Sequence, residues 1–107
     1  MGTITKQGLK DLMQESQDFI ILDVSRPDDF EFAHIPGAVN IPFEEDSFEE
    51  RVLEKVPYKS ATIILYGPYD IIDEAHYTLN EAGFDNVFVY KGGIEDWKES
   101  EYPLNLK

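Results

Sequence analysis

The sequence contains no cysteine among its 107 residues. Disulfides, thiolate metal sites and thiol catalysis are therefore excluded, because each of them needs a cysteine sulfur. The sequence also lacks an apolar stretch that approaches the roughly 20 residues of a membrane-spanning helix. It lacks the basic patch and apolar run of a secretory signal peptide. We therefore expect no membrane association and, by default, a cytoplasmic location.

Basic residues are scarce. The chain has 9 lysines and arginines against 22 aspartates and glutamates, which gives a formal net charge of −13. Such a surface repels the phosphates of nucleic acids and of anionic membranes, so nucleic-acid binding is not expected. The charge keeps a small domain in solution, and in association it steers the domain toward a protein with a basic surface. The oligomeric state is left open.

The sequence does contain short apolar runs that alternate with helical patterns. The unbroken runs at 19–22, 62–66 and 87–90 are typical of strands buried on both faces of a parallel sheet, and residues 3–4 and 39–41 are predicted to be a short edge strand and a short strand. Helical spacing or helix start signals lie at 5–13, 27–30, 48–53, 71–82 and 94–97. This alternation predicts a single α/β domain over 1–107, with a mainly parallel sheet and helices on both of its faces.

The carboxyl ends of the predicted strands are the expected place for a site, because ligands of such sheets bind beyond those ends. This rule singles out residues 23–25, 66–70 and 91–93. Asp23, at the end of the first strong strand, either orients such a site or caps nearby backbone amides. Both interpretations are open at the level of the sequence.

No metal site and no cofactor are predicted. A metal needs several converging ligands, and the two histidines, His34 and His76, fall on different predicted elements. His34 precedes a stiff turn in which Pro36 fixes one φ angle and Gly37 accepts a positive one. We therefore expect His34 to be a structural, hydrogen-bonding residue.

Three segments of the chain resemble the rhodanese family. Residues 21–24 read Ile-Leu-Asp-Val, and residues 34–42 read His-Ile-Pro-Gly-Ala-Val-Asn-Ile-Pro. Residues 79–87 are similar to the family's join between a helix and a strand, and residues 92–97 match its Gly-Gly-x-x-x-Trp motif. The resemblance implies a three-layer α/β/α domain with a central, mainly parallel five-stranded sheet.

The resemblance also implies where the family's catalytic loop lies. Sulfurtransferases of this family carry Cys-x-x-Gly-x-Arg between a strand and a helix, and the cysteine carries the transferred sulfur. Counting back from Gly83 places Tyr66 at the cysteine position, Tyr69 at the glycine position and Ile71 at the arginine position. The loop keeps the family's length, so the site is substituted rather than deleted.

These substitutions change the chemistry of the loop. Tyr66 cannot form a persulfide, and Pro68 removes one backbone N–H from the loop. Asp70 is predicted to cap the following helix, with its carboxylate where the family binds an anion. No lysine or arginine occurs between Lys59 and Lys91, so no local positive charge is expected. The candidate binding residues are Asp23, Tyr66, Gly67, Pro68, Tyr69, Asp70 and Ile71.

The sequence favours a catalytically inactive rhodanese-like module that binds a protein or ligand through the remodelled loop 66–71. Tyr66, Pro68 and Tyr69 give this loop an aromatic, uncharged surface of the kind found at protein interfaces. The alternatives are a carboxylate-based enzyme or metal site on the same scaffold, and sulfur transfer without a cysteine. Three phenylalanines either border this surface or belong to the core: Phe30, Phe32 and Phe43.

Overall fold

The structure is a computed structural model, and it describes residues 2–15, 18–43, 47–56, 58–99 and 105–106. The strands in these residues are β1 (Gly2–Thr3), β2 (Phe19–Asp23), β3 (Ala33–His34), β4 (Val39–Asn40), β5 (Thr62–Tyr66), β6 (Val87–Val89) and β7 (Asn105–Leu106). The helices are α1 (Lys6–Glu15), α2 (Pro27–Phe32), α3 (Phe48–Lys55), α4 (Ile72–Glu81) and α5 (Gly93–Lys98).

The central sheet has five strands in the order β1-β6-β5-β2-β4, and all neighbouring strands are parallel. In the register of this sheet Asp23 lies opposite Tyr66 on one side and opposite Asn40 on the other. The carboxyl ends of β2, β4 and β5 are therefore aligned at one edge. The predicted α/β fold with a mainly parallel five-stranded sheet is confirmed.

Both faces of the sheet are covered, as the unbroken apolar runs predict. Successive residues of β5 point to opposite faces, because side chains alternate along a strand. Ile63 and Leu65 belong to the core cluster that contains residues of α3 and α4. Ile64 and Tyr66 belong to the second cluster, with residues of α1 and α5. The result is the predicted three-layer arrangement of helix, sheet and helix.

The ends of two helices follow directly from the sequence. The backbone N–H of Gly8 donates a hydrogen bond to Thr5 Oγ1 at 3.0 Å, so Thr5 caps α1 as its residue type predicts. At the end of α4, Gly83 has a φ of 99°, and the N–H of Phe84 donates to the carbonyl oxygen of Leu79 at 3.0 Å. This is the left-handed helix ending that favours glycine.

The sequence did not indicate a second, two-stranded sheet. In it β3 pairs antiparallel with β7, so that Ala33 lies opposite Leu106 and His34 opposite Asn105. Strands of two residues carry no readable alternation, and only the tertiary fold brings these two segments together. Among the described helices, none is both long enough and apolar enough to cross a bilayer.

Candidate functional site

The carboxyl ends of β2, β5 and β6 meet at a surface pocket of about 460 Å³. Residues from all three segments that the sequence singled out, around 23–25, 66–69 and 91–93, line this pocket. Residues of α2, β3 and α5 form its remaining walls. Five of the seven candidate residues line the pocket, and the other two, Asp70 and Ile71, do not.

Tyr66 lies at the floor of the pocket and is only 2% exposed. Its ring packs in the cluster that contains Leu9 and Trp97, and its hydroxyl accepts a hydrogen bond from the N–H of Ile35 at 3.1 Å. Burial raises the pKa of the Tyr66 phenol far above its ordinary value, and the negative charge of Asp23 raises it further. The phenol is therefore protonated at neutral pH. The prediction that Tyr66 offers an aromatic surface is wrong, because its ring serves the core.

Asp23 is also buried at the floor, and its carboxylate is engaged locally. Its Oδ1 accepts a hydrogen bond from the N–H of Ser25 at 2.8 Å, and a second, short one from the Ser25 hydroxyl. The side-chain amide of Asn40 donates to the carbonyl oxygens of Asp23 at 3.0 Å and of Ser25 at 2.9 Å. Asp23 thus caps the chain as it leaves β2, which is one of the two roles that the sequence left open.

Hydrogen bonds to the carbonyl oxygen of Pro68 hold the loop that follows Tyr66. This oxygen accepts hydrogen bonds from the N–H groups of Ile71 and Ile72, both at 3.1 Å. Helix α4 therefore begins at Ile72, with Ile71 as its N-cap residue and no side-chain cap. The prediction that Asp70 caps this helix is wrong, because a backbone carbonyl one turn earlier already accepts these N–H groups.

The two candidate residues outside the pocket have other surroundings. The Asp70 side chain is exposed to solvent and does not line the pocket. Ile71 packs against the core cluster on the side of α3 and α4. Gly67 stays in the pocket wall, where a Cβ atom would lie 2.7 Å from Cγ2 of Val24. Only glycine allows this close approach of β2 to the loop.

Two aromatic side chains stand exposed at the pocket, and together they are called the aromatic rim here: Phe32 and Tyr69. Phe32 is 72% exposed and Tyr69 is 87% exposed. The other two phenylalanines that the sequence left open lie elsewhere. The ring of Phe30 stacks on His34 with centroids 3.9 Å apart, and Phe43 packs edge-on against the ring of Phe48. Of the three, therefore, Phe32 borders the site.

Lysines from the other side of the pocket correct the expectation that no local positive charge is present. Lys91 and Lys98 both line the pocket, and each lies near a carboxylate. The Lys91 Nζ atom is 3.8 Å from Asp73 Oδ1, and the Lys98 Nζ atom is 3.2 Å from Glu95 Oε2. Lys91 belongs to the segment 91–93 that the sequence placed at this site, but charge was counted along the loop alone. Lys98 lies on α5 and meets the loop only in the folded sheet.

The wall formed by α5 is fixed by a small polar network. The Tyr90 hydroxyl donates a hydrogen bond of 2.5 Å to Asp96 Oδ2, and Lys6 Nζ lies 3.5 Å from Asp96 Oδ1. The hydrogen bond from Tyr90 lowers the pKa of Asp96 below its ordinary value. A Cβ atom on Gly92 would lie 2.5 Å from the Asp96 Cβ, so glycine at 92 lets α5 close over the turn.

The metal site that the sequence left as an alternative has no matching constellation in the described residues. Within them no three histidine, aspartate or glutamate side chains converge as metal ligands do. Asp73 lies outside the pocket that Asp23 lines, and its partner is Lys91. His34 Nδ1 lies 2.8 Å from the carbonyl oxygen of Phe30, in the structural role expected of it.

Comparison with protein families and curated proteins gives the same assignment. The sequence pattern of the family described as rhodanese-like domain matches residues 5–100. The chain is 34% identical over 89 residues to the uncharacterized protein YibN of Escherichia coli, and this match covers 82% of the chain. It is 30% identical over 96 residues to the adenylyltransferase and sulfurtransferase UBA4 of Meyerozyma guilliermondii, a match that covers 85% of this chain. The chain spans 62% of the length of YibN and 22% of that of UBA4.

Solved structures share the fold. The Alr3790 protein from Anabaena sp. superimposes with a TM-score of 0.85 at 30% sequence identity, over 96% of this chain and 81% of that one. The rhodanese-like domain of the same protein, solved in solution by NMR, gives a TM-score of 0.85 at 28% identity over the whole of this chain and 80% of that one. The family assigned from the sequence and the three-layer fold therefore agree.

Proposed function

We propose that this chain, which belongs to the rhodanese-like domain family, is a non-catalytic member that binds a protein partner at the aromatic rim. The family's sulfur transfer runs through a cysteine persulfide, and this chain has no cysteine. The position of that cysteine holds Tyr66, whose protonated phenol is buried and bonded to the backbone of Ile35. A group in this state is no substitute nucleophile.

One observation carries the binding half of the proposal. The loop that buries Tyr66 almost completely leaves Tyr69, three positions further on, 87% exposed beside a pocket. Exposed aromatic side chains next to a concave surface are typical of the few residues that dominate protein interfaces. Phe32 adds a second one from a different element, α2. The rim thus concentrates exposed apolar area at the end of the sheet where the family places its chemistry.

The partner is a protein with a basic surface. The chain carries a net charge of −13, and a field of this sign attracts positively charged surfaces and accelerates their association. The same field works against nucleic acid as a partner. A cytoplasmic location stays a prediction of the sequence.

The binding half is tested by affinity capture with matched variants. Tagged wild type, Tyr69→Ala, Phe32→Ala and Tyr77→Ala are incubated with lysate of the host organism, and bound proteins are quantified by mass spectrometry. Tyr77 is the control because it is also an exposed tyrosine, at 63%, but does not line the pocket. We expect at least one protein to be lost with both rim variants and kept with Tyr77→Ala. Equal recovery of every protein by all four baits would contradict the proposal.

The catalytic half is tested by the transfer of sulfur from thiosulfate to cyanide. We expect no turnover above a heat-killed control, because a persulfide cannot form on this chain. Measurable turnover that purifies with the domain would overturn the non-catalytic assignment. It would favour instead a sulfurtransferase that works without cysteine.

A further inference from the structure

Helix α2 places a carboxylate beside an exposed aromatic ring. Asp29 and Phe32 are three positions apart on this helix, so their side chains are neighbours on one face. Both residues are exposed, and both line the pocket. Tyr69 lines the same pocket from the loop that follows β5. Two aromatic groups and one carboxylate, from two separate elements, thus border one opening.

The charges at this opening are not balanced. Each pocket lysine already lies near a carboxylate, Lys91 near Asp73 and Lys98 near Glu95. In the part of the chain that the structure describes, the Asp29 carboxylate has no such ion pair. The uncompensated charge at the pocket is therefore negative, in the same sense as the net charge of the whole chain.

We propose that the aromatic rim binds one arginine side chain of the partner, with Asp29 as its counter-ion; this inference rests on the proposed function. A cation gains energy over the face of an aromatic ring. A guanidinium group is planar, stacks on such rings, and pairs with a carboxylate through two parallel hydrogen bonds. It is also less strongly hydrated than the ammonium group of lysine, so entering a pocket costs it less. Arginine fits this combination of groups better than lysine does.

The probe is a short blocked peptide, acetyl-Gly-Arg-Gly-amide, titrated into the ¹⁵N-labelled domain and followed by amide chemical shifts. Its matched control is the same peptide with citrulline, which keeps the shape of arginine and removes the charge. We expect the arginine peptide to shift amides in α2 and in the loop 67–70, with about fivefold tighter binding than citrulline. This ratio corresponds to a cation–π and ion-pair gain of about 1 kcal/mol.

Variants of the domain separate the local carboxylate from the general charge. Asp29→Asn and Asp28→Asn remove the same charge from exposed neighbours on α2, and Asp28 does not line the pocket. We expect Asp29→Asn to weaken the arginine peptide about fivefold, and Asp28→Asn less than twofold. Tyr69→Ala should weaken binding as Asp29→Asn does, whereas Tyr77→Ala should not.

Equal affinity for the arginine and citrulline peptides, or equal losses in Asp29→Asn and Asp28→Asn, would overturn the arginine anchor. So would the absence of any shift at α2 and the loop. These failures are distinct from failure of the proposed function. If a captured partner depends on Tyr69 but not on Asp29, and the arginine peptide does not displace it, the rim binds a protein without an arginine anchor. If capture does not depend on Tyr69, the proposed function itself fails.

Discussion

Tyr66 ends strand β5 and Tyr69 lies in the loop that follows it, yet one is 2% and the other 87% exposed. At the floor, Tyr66 accepts the Ile35 N–H and Asp23 accepts both donors of Ser25, so the buried polar groups have partners inside the chain. At the rim, Phe32 and Tyr69 present large apolar surfaces to solvent. The floor therefore contributes to folding, whereas the side chains of the rim lie mostly in solvent and contribute little to it.

The difference shows how this scaffold stays packed with a tyrosine at the position that the resemblance gives to the family's cysteine. A bare substitution by a small residue would leave a void under the loop, and voids in a core are costly. Tyr66 instead fills the space between the sheet and the helices α1 and α5, and links β5 to Ile35 by a hydrogen bond.

The largest expected effect is that of Tyr66→Cys. Removing the ring from the core should lower the free energy of unfolding by about 3–5 kcal/mol, because a buried aromatic is replaced by a small side chain. The variant should still show no thiosulfate-to-cyanide turnover, because restoring a thiol does not restore the arginine and glycine of the family's loop. Urea denaturation and the transfer assay measure the two effects. Wild-type stability together with turnover would show that the floor is an intact active site.

Tyr66→Phe should have a smaller effect, which isolates the hydrogen bond. The ring is kept, but the N–H of the fully buried Ile35 loses its acceptor, which should cost about 1–3 kcal/mol. Tyr77→Phe is the matched control, since it removes a hydroxyl from an exposed ring and should change stability by less than about 0.5 kcal/mol. Equal stability of both variants in urea would show that the floor hydroxyl is not a structural group.

His76 is another buried polar side chain, and it can be compared with those at the floor. It is 4% exposed on α4, and within the described residues its Nε2 has no hydrogen-bond partner. Burial lowers the pKa of His76 below its ordinary value. The folded state therefore binds this proton less readily than the unfolded chain, and stability is full above the unfolded pKa of about 6.5. The free energy of unfolding should fall as the pH drops from about 6.5 through the lower pKa that His76 has in the folded state.

His76→Gln should flatten that dependence, because the titrating group is gone from both states. The measurement is the urea midpoint of wild type and variant between pH 7.5 and pH 5, at constant salt. Parallel pH profiles for the two proteins would show that His76 is not responsible, and that acid sensitivity arises elsewhere in the chain.

The smallest expected effect on stability belongs to the rim. Tyr69→Ala and Phe32→Ala should each change the free energy of unfolding by less than about 0.5 kcal/mol, because both side chains are mostly in solvent already. Thermal or urea denaturation measures this, and the same variants should lose partner capture. A loss of several kcal/mol in either variant would mean that the rim, like the floor, serves the fold.

The sequence predicted most of the fold because the strands are buried on both faces and therefore read as unbroken apolar runs. Strand β5 was predicted at its observed bounds, Thr62–Tyr66, and the helix caps at Thr5 and Gly83 followed from residue type. The pair of β3 and β7 could not be predicted, since two-residue strands have no period and their partners are distant in sequence.

The sequence predicted where the candidate site lies, but not all of the residues that form it. Asp70 was the expected cap, yet the Pro68 carbonyl accepts the first N–H groups of α4, a backbone detail that residue type does not encode. Lys91 lay in a predicted site segment, 91–93, but its charge was not counted at the loop, and Lys98 was missed. Crossover connections bring both lysines to the loop from the following strand and helix. Phe32 was left open between core and border, because a short helix of six residues gives too little periodicity to assign a face.

By itself, the sequence determined the family, the succession along the chain of the helices and of the central-sheet strands, and the impossibility of persulfide chemistry. These conclusions depend on residue identity, on short-range periodicity and on the absence of cysteine. Only the tertiary structure decided that Tyr66 is core, that Tyr69 and Phe32 are exposed together, and that two lysines face the pocket. Such facts depend on which side of a strand or turn a residue occupies, and a single register position reverses them.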